Sequence, residues 1–390
     1  MWGKKLLFMK IEKRWVVSFG VISLISIFSL FWPDQISLPK DGTFLSEDQI
    51  VGSDVAWILA SSGLVLLMTP GLSFFYGGMV GKKNVISTML QSFIALGVIS
   101  ILWVMIGFSL SFGESIGFTI NGEHYGLIGN PLTYMFFNNV GVLPHSQLAS
   151  TLPFVLFALF QMKFAVITPA LITGSFAERV RFISYLLFMV LFSLIIYTPL
   201  CHMVWHPDGL LNKYFGVKDF AGGTVVHMSA GFAALAGAMI IGKRKNPNHE
   251  PSNIPFVLLG TGMLWFGWFG FNAGSALSAN ATAAMAFGTT TVASATAMLT
   301  WIFFDRMNGR KVSALGACIG AVVGLVAITP AAGFVTIPHA IFIGFISSIV
   351  SNLMCHWKVL KKSRRYIRCF CLSWCWWYHG YDINSCFCSR

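Results

Sequence analysis

The 390-residue chain is 56% hydrophobic and only 10% charged, with a mean hydropathy of +0.72. Soluble proteins carry about 25% charged residues, so this composition excludes a string of soluble domains and requires a protein that crosses a bilayer many times. The formal net charge of +12 then raises the question of which loops hold the cations, before any nucleic-acid partner is invoked.

In chain order, Lys4, Lys5, Lys10 and Lys13 precede an apolar run from Trp15 to Trp32. A basic flank before an apolar stretch is the pattern of a signal sequence or signal anchor. Polar residues 33–53 follow, so residues 1–49 are set apart as a targeting segment with an external linker. Apolar runs long enough to span a bilayer as helices then recur at 54–78, 85–112, 149–174, 180–202, 220–242, 254–277, 283–304, 312–330 and 334–357. These nine spans, within 50–357, predict an all-α polytopic membrane protein.

The loops orient it. Lys82 and Lys83 follow the first span, Arg179 and Arg181 the third, Lys243, Arg244 and Lys245 the fifth. Arg306, Arg310 and Lys311 follow the seventh, and Lys358, Lys361 and Lys362 the ninth. Loops after even spans hold only Lys213 and Lys218. Cytoplasmic loops carry the excess of Lys and Arg, so odd spans end inside and the first span starts outside.

The stretch "DFAGGTVVHMSAGFAALAG" places His227 inside the fifth span, with Gly223 and Gly231 one turn away on either side. An ionisable ring within a lipid-embedded helix is costly and reads as functional by default. The flanking glycines are expected to leave room for a narrow path along that face. Asp219 stands at the outer start of this helix, where a carboxylate suits the positive end of the dipole; capping and tuning of a nearby site explain it equally well. Phe160 and Phe164 share a helix face, as do Phe271 and Ser275, and Trp205 falls at the outer boundary. Taken singly, these read as lipid-facing aromatics and an interfacial anchor. Taken together, they permit a cation site, because aromatic faces attract small cations. A haem- or metal-binding membrane protein needs paired histidines on facing helices. His202, His206, His339 and His356 lie near span ends and read as interfacial instead.

Four motifs in order, "TPGLSFFYGGMVGKKN", "ALITGSFAERVRF", "DFAGGTVVHMSAG" and "GWFGFNAGS", resemble the ammonium transporter family, which includes methylammonium permeases and Rhesus glycoproteins. The resemblance runs from about Asp54 to Trp357. It implies an eleven-helix bundle of two inverted five-helix halves with the N-terminus outside. It also implies a homotrimer in the inner (plasma) membrane with one pore per subunit, no cofactor and no enzymatic activity. Carried over to this sequence, it assigns Phe160, Phe164, Trp205 and Ser275 to external ammonium binding. Phe164 and Phe271 become the pore gate, His227 a pore histidine, and Asp219 a structural residue beside the site. Lys163, next to Phe164, departs from what an ammonium site wants. Neighbouring helical residues point about 100° apart, so it is expected to face elsewhere.

The resemblance implies a tenth helix with a second pore histidine in a "DVFxxHGxGG" type motif, an eleventh helix, and a tail that contacts a PII signalling protein. Residues 358–390 read "KVLKKSRRYIRCFCLSWCWWYHGYDINSCFCSR" instead. The spacing of Cys369, Cys371, Cys375, Cys386 and Cys388 misses the C-x2-C pairs of structural zinc, and His379 lacks the surrounding motif. "WCWWY" read one base later becomes Gly-(Val/Ala)-Gly-Gly-(Ile/Thr), which is nearly forced because tryptophan has one codon. The expectation is a reading-frame slip near residues 363–368, truncating the fold and removing the PII contact.

Overall fold

The computed structural model describes residues 13–31, 42–242 and 251–356. The reading of 358–390, His379 and the tail cysteines included, lies outside the described residues. Among those described, nine helical segments are long and apolar enough to cross a membrane: Gly52–Met79, Lys82–Phe112, Phe154–Phe176, Phe182–Trp205, Gly223–Ile241, Ile254–Ala276, Ala281–Met307, Ala314–Ala331 and Ile337–Cys355. Helices satisfy their own backbone groups where lipid offers no partner. The segments fall on the nine predicted runs, and the N-terminal helix Lys13–Phe31 falls on the basic-flanked run before them.

Boundaries move where local chemistry overrides hydropathy. The third span starts at Phe154, because Pro153 precedes it with extended ψ of 129°. The fifth starts at Gly223, because Gly222 takes φ 110°, a left-handed conformation that glycine adopts without steric cost. Three spans carry a widened π-helical turn: Trp103–Gly107 in the second, Ser193–Tyr197 in the fourth, and Gly223–Met228 at the start of the fifth.

The all-α expectation misses one element. The external loop after the second span folds as an antiparallel hairpin, β1 (Ser115–Ile120) with β2 (Glu123–Gly129). Its turn is Asn121-Gly122, both at positive φ (53° and 84°), the pairing that suits a two-residue hairpin. The register sets Phe118 opposite Tyr125 and Ile120 opposite Glu123, with a bulge at Ile116/Gly117.

The third and eighth spans form the centre: 78% of each apolar window lies inside the protein, against 28–50% for the other seven. They are five apart in order. So are the first and sixth, which pack along their length, as two inverted halves require. Gly260 makes that seam close, since a Cβ there would stand 2.4 Å from the Phe75 backbone nitrogen. Polar pins hold the ends. Asp54 accepts from the Thr151 hydroxyl at 2.8 Å, the Ser278 hydroxyl at 3.0 Å and the Ala279 N–H at 2.9 Å. On the inner side, Asp305 accepts from Arg310 and from Asn352, both at 2.9 Å.

Candidate ammonium site and pore

A cavity of about 230 Å³ opens between the outer ends of the third, fourth and sixth spans, lined in part by Phe160, Gln161, Phe164, Trp205, Phe220 and Ser275. All four residues expected to bind at the outer face therefore border one space. The Phe160 and Phe164 rings meet edge-on, 5.0 Å between centroids, and Phe164 meets Trp205 at 5.9 Å and 86°. Edge-to-face pairs at these distances are favourable. Ser275 donates its hydroxyl hydrogen to the Phe271 carbonyl at 2.8 Å. Its oxygen thus remains an acceptor.

Directly beneath, Phe164 and Phe271 lie 4.4 Å apart at 41°. His227 stacks on Phe271 at 5.6 Å and on Trp268 at 5.4 Å, with interplanar angles of 21° and 24°. Phe164, Phe271, Trp268 and His227 are each at most 1% exposed. The order from outside inward is thus cavity, paired phenylalanines, buried histidine.

Backbone chemistry fixes these positions. The Asp219 carboxylate accepts four N–H groups, from Gly222 at 2.8 Å, Gly223 at 2.6 Å, Thr224 at 2.7 Å and Val225 at 3.1 Å. Those are the orphan donors at a helix start, so the capping explanation of Asp219 accounts for its geometry. The Trp205 indole donates to the Asp219 carbonyl at 3.1 Å, which ties the cavity wall to the cap of the helix that carries His227. The expectation of open room beside His227 fails at Gly223. A Cβ at Gly223 would stand 2.3 Å from Pro330, so that glycine admits a neighbouring element and leaves no open path.

The family model described as Ammonium Transporter Family matches residues 56–366. The chain belongs to the ammonium transporter family. An ammonium transporter of Aquifex aeolicus is 44% identical over 337 residues, covering 86% of this chain and 74% of the relative. One of Mycobacterium tuberculosis is 44% identical over 325 residues, covering 77% of this chain and 66% of the relative. Among solved structures, Saccharomyces cerevisiae Mep2 aligns with TM-score 0.75 at 36% identity, over 86% of this chain and 75% of that one.

Within this ammonium transporter fold, two residues near the site lay hidden in the sequence reading. Trp268 is three residues before Phe271 on one helix face, and its indole donates to Thr329 at 2.8 Å, which sets the ring against His227. Gln161 adjoins Phe160 and borders the cavity. Lys163 is absent from the lining, and among the described residues it makes no ion pair. His202 and His206 stand at the end of the fourth span, as expected, and both are buried in the protein, at 0% and 8% exposure. His202 bonds Ser115 Oγ at 2.6 Å and the Ser111 carbonyl at 3.0 Å, joining hairpin to fourth span. His206 stacks on it at 4.4 Å. Among the described residues, no three His, Cys, Asp or Glu side chains come together as a metal site.

Proposed function

We propose that this chain moves ammonium across the inner (plasma) membrane as a homotrimer, with one pore per subunit. Ammonium is recruited by Phe160, Phe164, Trp205 and Ser275, gives its proton to external water on the cavity side of the Phe164–Phe271 gate, and passes His227 as ammonia. The observation that carries this reading is the single file of cavity, paired rings and buried histidine. Each aromatic face attracts a cation by about 0.5–2 kcal/mol, and Ser275 accepts one N–H. Below the cavity the lining is buried and largely apolar. Desolvation there disfavours the charged form of an amine, so ammonia enters more easily than ammonium. At 4.4 Å the Phe164 and Phe271 rings close the way, and conduction requires one to swing aside.

A second reading concerns residues 358–390. The family match ends at residue 366, within the stretch 363–368 where the frame is expected to slip. The shifted frame reads His-Gly-(Val/Ala)-Gly-Gly when Ser373 is encoded TCA, which would supply the second pore histidine. On this second reading, the frame as written would give a non-functional member of the family.

Uptake of labelled methylammonium by cells expressing the chain tests both readings. Saturable uptake that ammonium inhibits and His227→Ala abolishes is the expected result. Uptake indifferent to both His227→Ala and Phe164→Ala would sink the pore mechanism. No uptake until the frame is restored would establish the second reading.

A further inference from the structure

We infer that Gln161 is a second hydrogen-bond acceptor for the bound cation and tunes the site toward N–H donors. This inference rests on the recruitment reading above. Gln161 borders the cavity together with Phe160, Phe164, Trp205 and Ser275. Its amide makes no hydrogen bond among the described residues, and its Oε1 is fully buried without a donor. A buried carbonyl oxygen left unpaired is costly, and native proteins rarely keep one without a reason.

The site explains what the amide is for. Ammonium brings four N–H groups into a space walled chiefly by rings. Ser275 offers one oxygen, its own hydrogen being committed to Phe271. Ring faces attract the charge but accept hydrogen bonds weakly. A half-turn about the last side-chain bond of Gln161 exchanges its oxygen and nitrogen, so the same side chain presents a carbonyl oxygen to the cavity. Oxygens from two different helices, the third and the sixth, then receive N–H groups from separate directions. Two directed acceptors suit a tetrahedral donor. Potassium, which coordinates many oxygens and donates no hydrogen bond, gains less from two fixed ones. The position also has a positional logic. Gln161 lies about 100° around the helix from Phe160, so one helical turn presents both a ring and an acceptor.

The test is calorimetric titration of the purified full chain in detergent with ammonium chloride, methylammonium chloride and potassium chloride. Gln161→Leu is expected to weaken ammonium and methylammonium binding at least fivefold and to narrow the preference over potassium. Gln161→Glu, which keeps the acceptor, is expected to bind ammonium at least as tightly as the parent. Elution as a single symmetric species on gel filtration shows that each variant is folded; should Gln161→Leu fail this, Gln161→Met takes its place with the same expectation. If Ser275→Ala weakens binding and Gln161→Leu does not, the inference is overturned while the recruitment site stands. If Ser275→Ala, Phe160→Ala and Gln161→Leu all bind like the parent, the recruitment reading fails and this inference with it.

Discussion

Asp219→Asn removes charge and one acceptor from the cap while changing the side chain's volume little. In the folded chain the carboxylate receives four N–H groups at 2.6–3.1 Å, two on each oxygen. An amide keeps one oxygen and replaces the other with a donor that faces donors. Two buried N–H groups therefore lose their partners, at about 1–3 kcal/mol each, for a total of about 2–6 kcal/mol. At roughly 2 °C per kcal/mol for a protein of this size, the midpoint of thermal unfolding in detergent should fall by about 4–12 °C. Ammonium binding should weaken as well, because Trp205 hangs on the Asp219 carbonyl. Asp219→Glu retains both oxygens and should fall by less. An Asp219→Asn chain that unfolds within a degree of the parent would refute the capping argument. If it also bound ammonium more weakly, the carboxylate would be acting on the cation through its charge.

Gly260→Val places a branched side chain where 2.4 Å separates an added Cβ from the Phe75 nitrogen. Overpacking costs about 1–3 kcal/mol or more, read as a lower unfolding midpoint with reduced folded yield. Lys163→Ala should leave ammonium affinity unchanged within twofold, since the lysine lies outside the cavity lining; a larger change by calorimetry contradicts that placement. Burial pulls His206 down to about 4, partly offset by Asp208. Because the folded value lies below the free value of about 6.5, His206 contributes stability that is complete above pH 6.5 and is lost as pH falls toward 4. Unfolding midpoints measured from pH 8 to pH 4 should decline below 6.5, and His206→Gln should flatten that part of the curve.

The spans were legible because lipid imposes one rule on twenty residues at a time. Features decided by single residues were less so. The hairpin is written in Asn121-Gly122, a strong local signal that nine long apolar runs overshadow. Residues 149–153 are apolar enough to join the third span, yet Pro153 keeps them out. Phe160, Phe164, Phe271 and His227 converge as the motifs implied, although periodicity alone gave no reason for rings from separate spans to meet. Trp268 was hidden by abundance, in a segment with aromatics at nearly every second position. Gly223 misled because a missing side chain reads equally as empty space and as room for a neighbour, and only packing shows that Pro330 takes it.

The π-helical turn that opens the fifth span sets the phase of that helix. It closes on i→i+5 bonds, so Gly223–Met228 accommodates one residue more than an α-helical turn. Everything outward of it is indexed to Asp219 and Trp205, and everything inward to the bundle. Closing this turn on i→i+4 bonds with every residue kept would rotate one frame against the other by about 100°. His227 would then leave its place against Phe271 and Trp268 even though no pore side chain had been changed. The widened turn is consequently as strict a requirement here as residue identity.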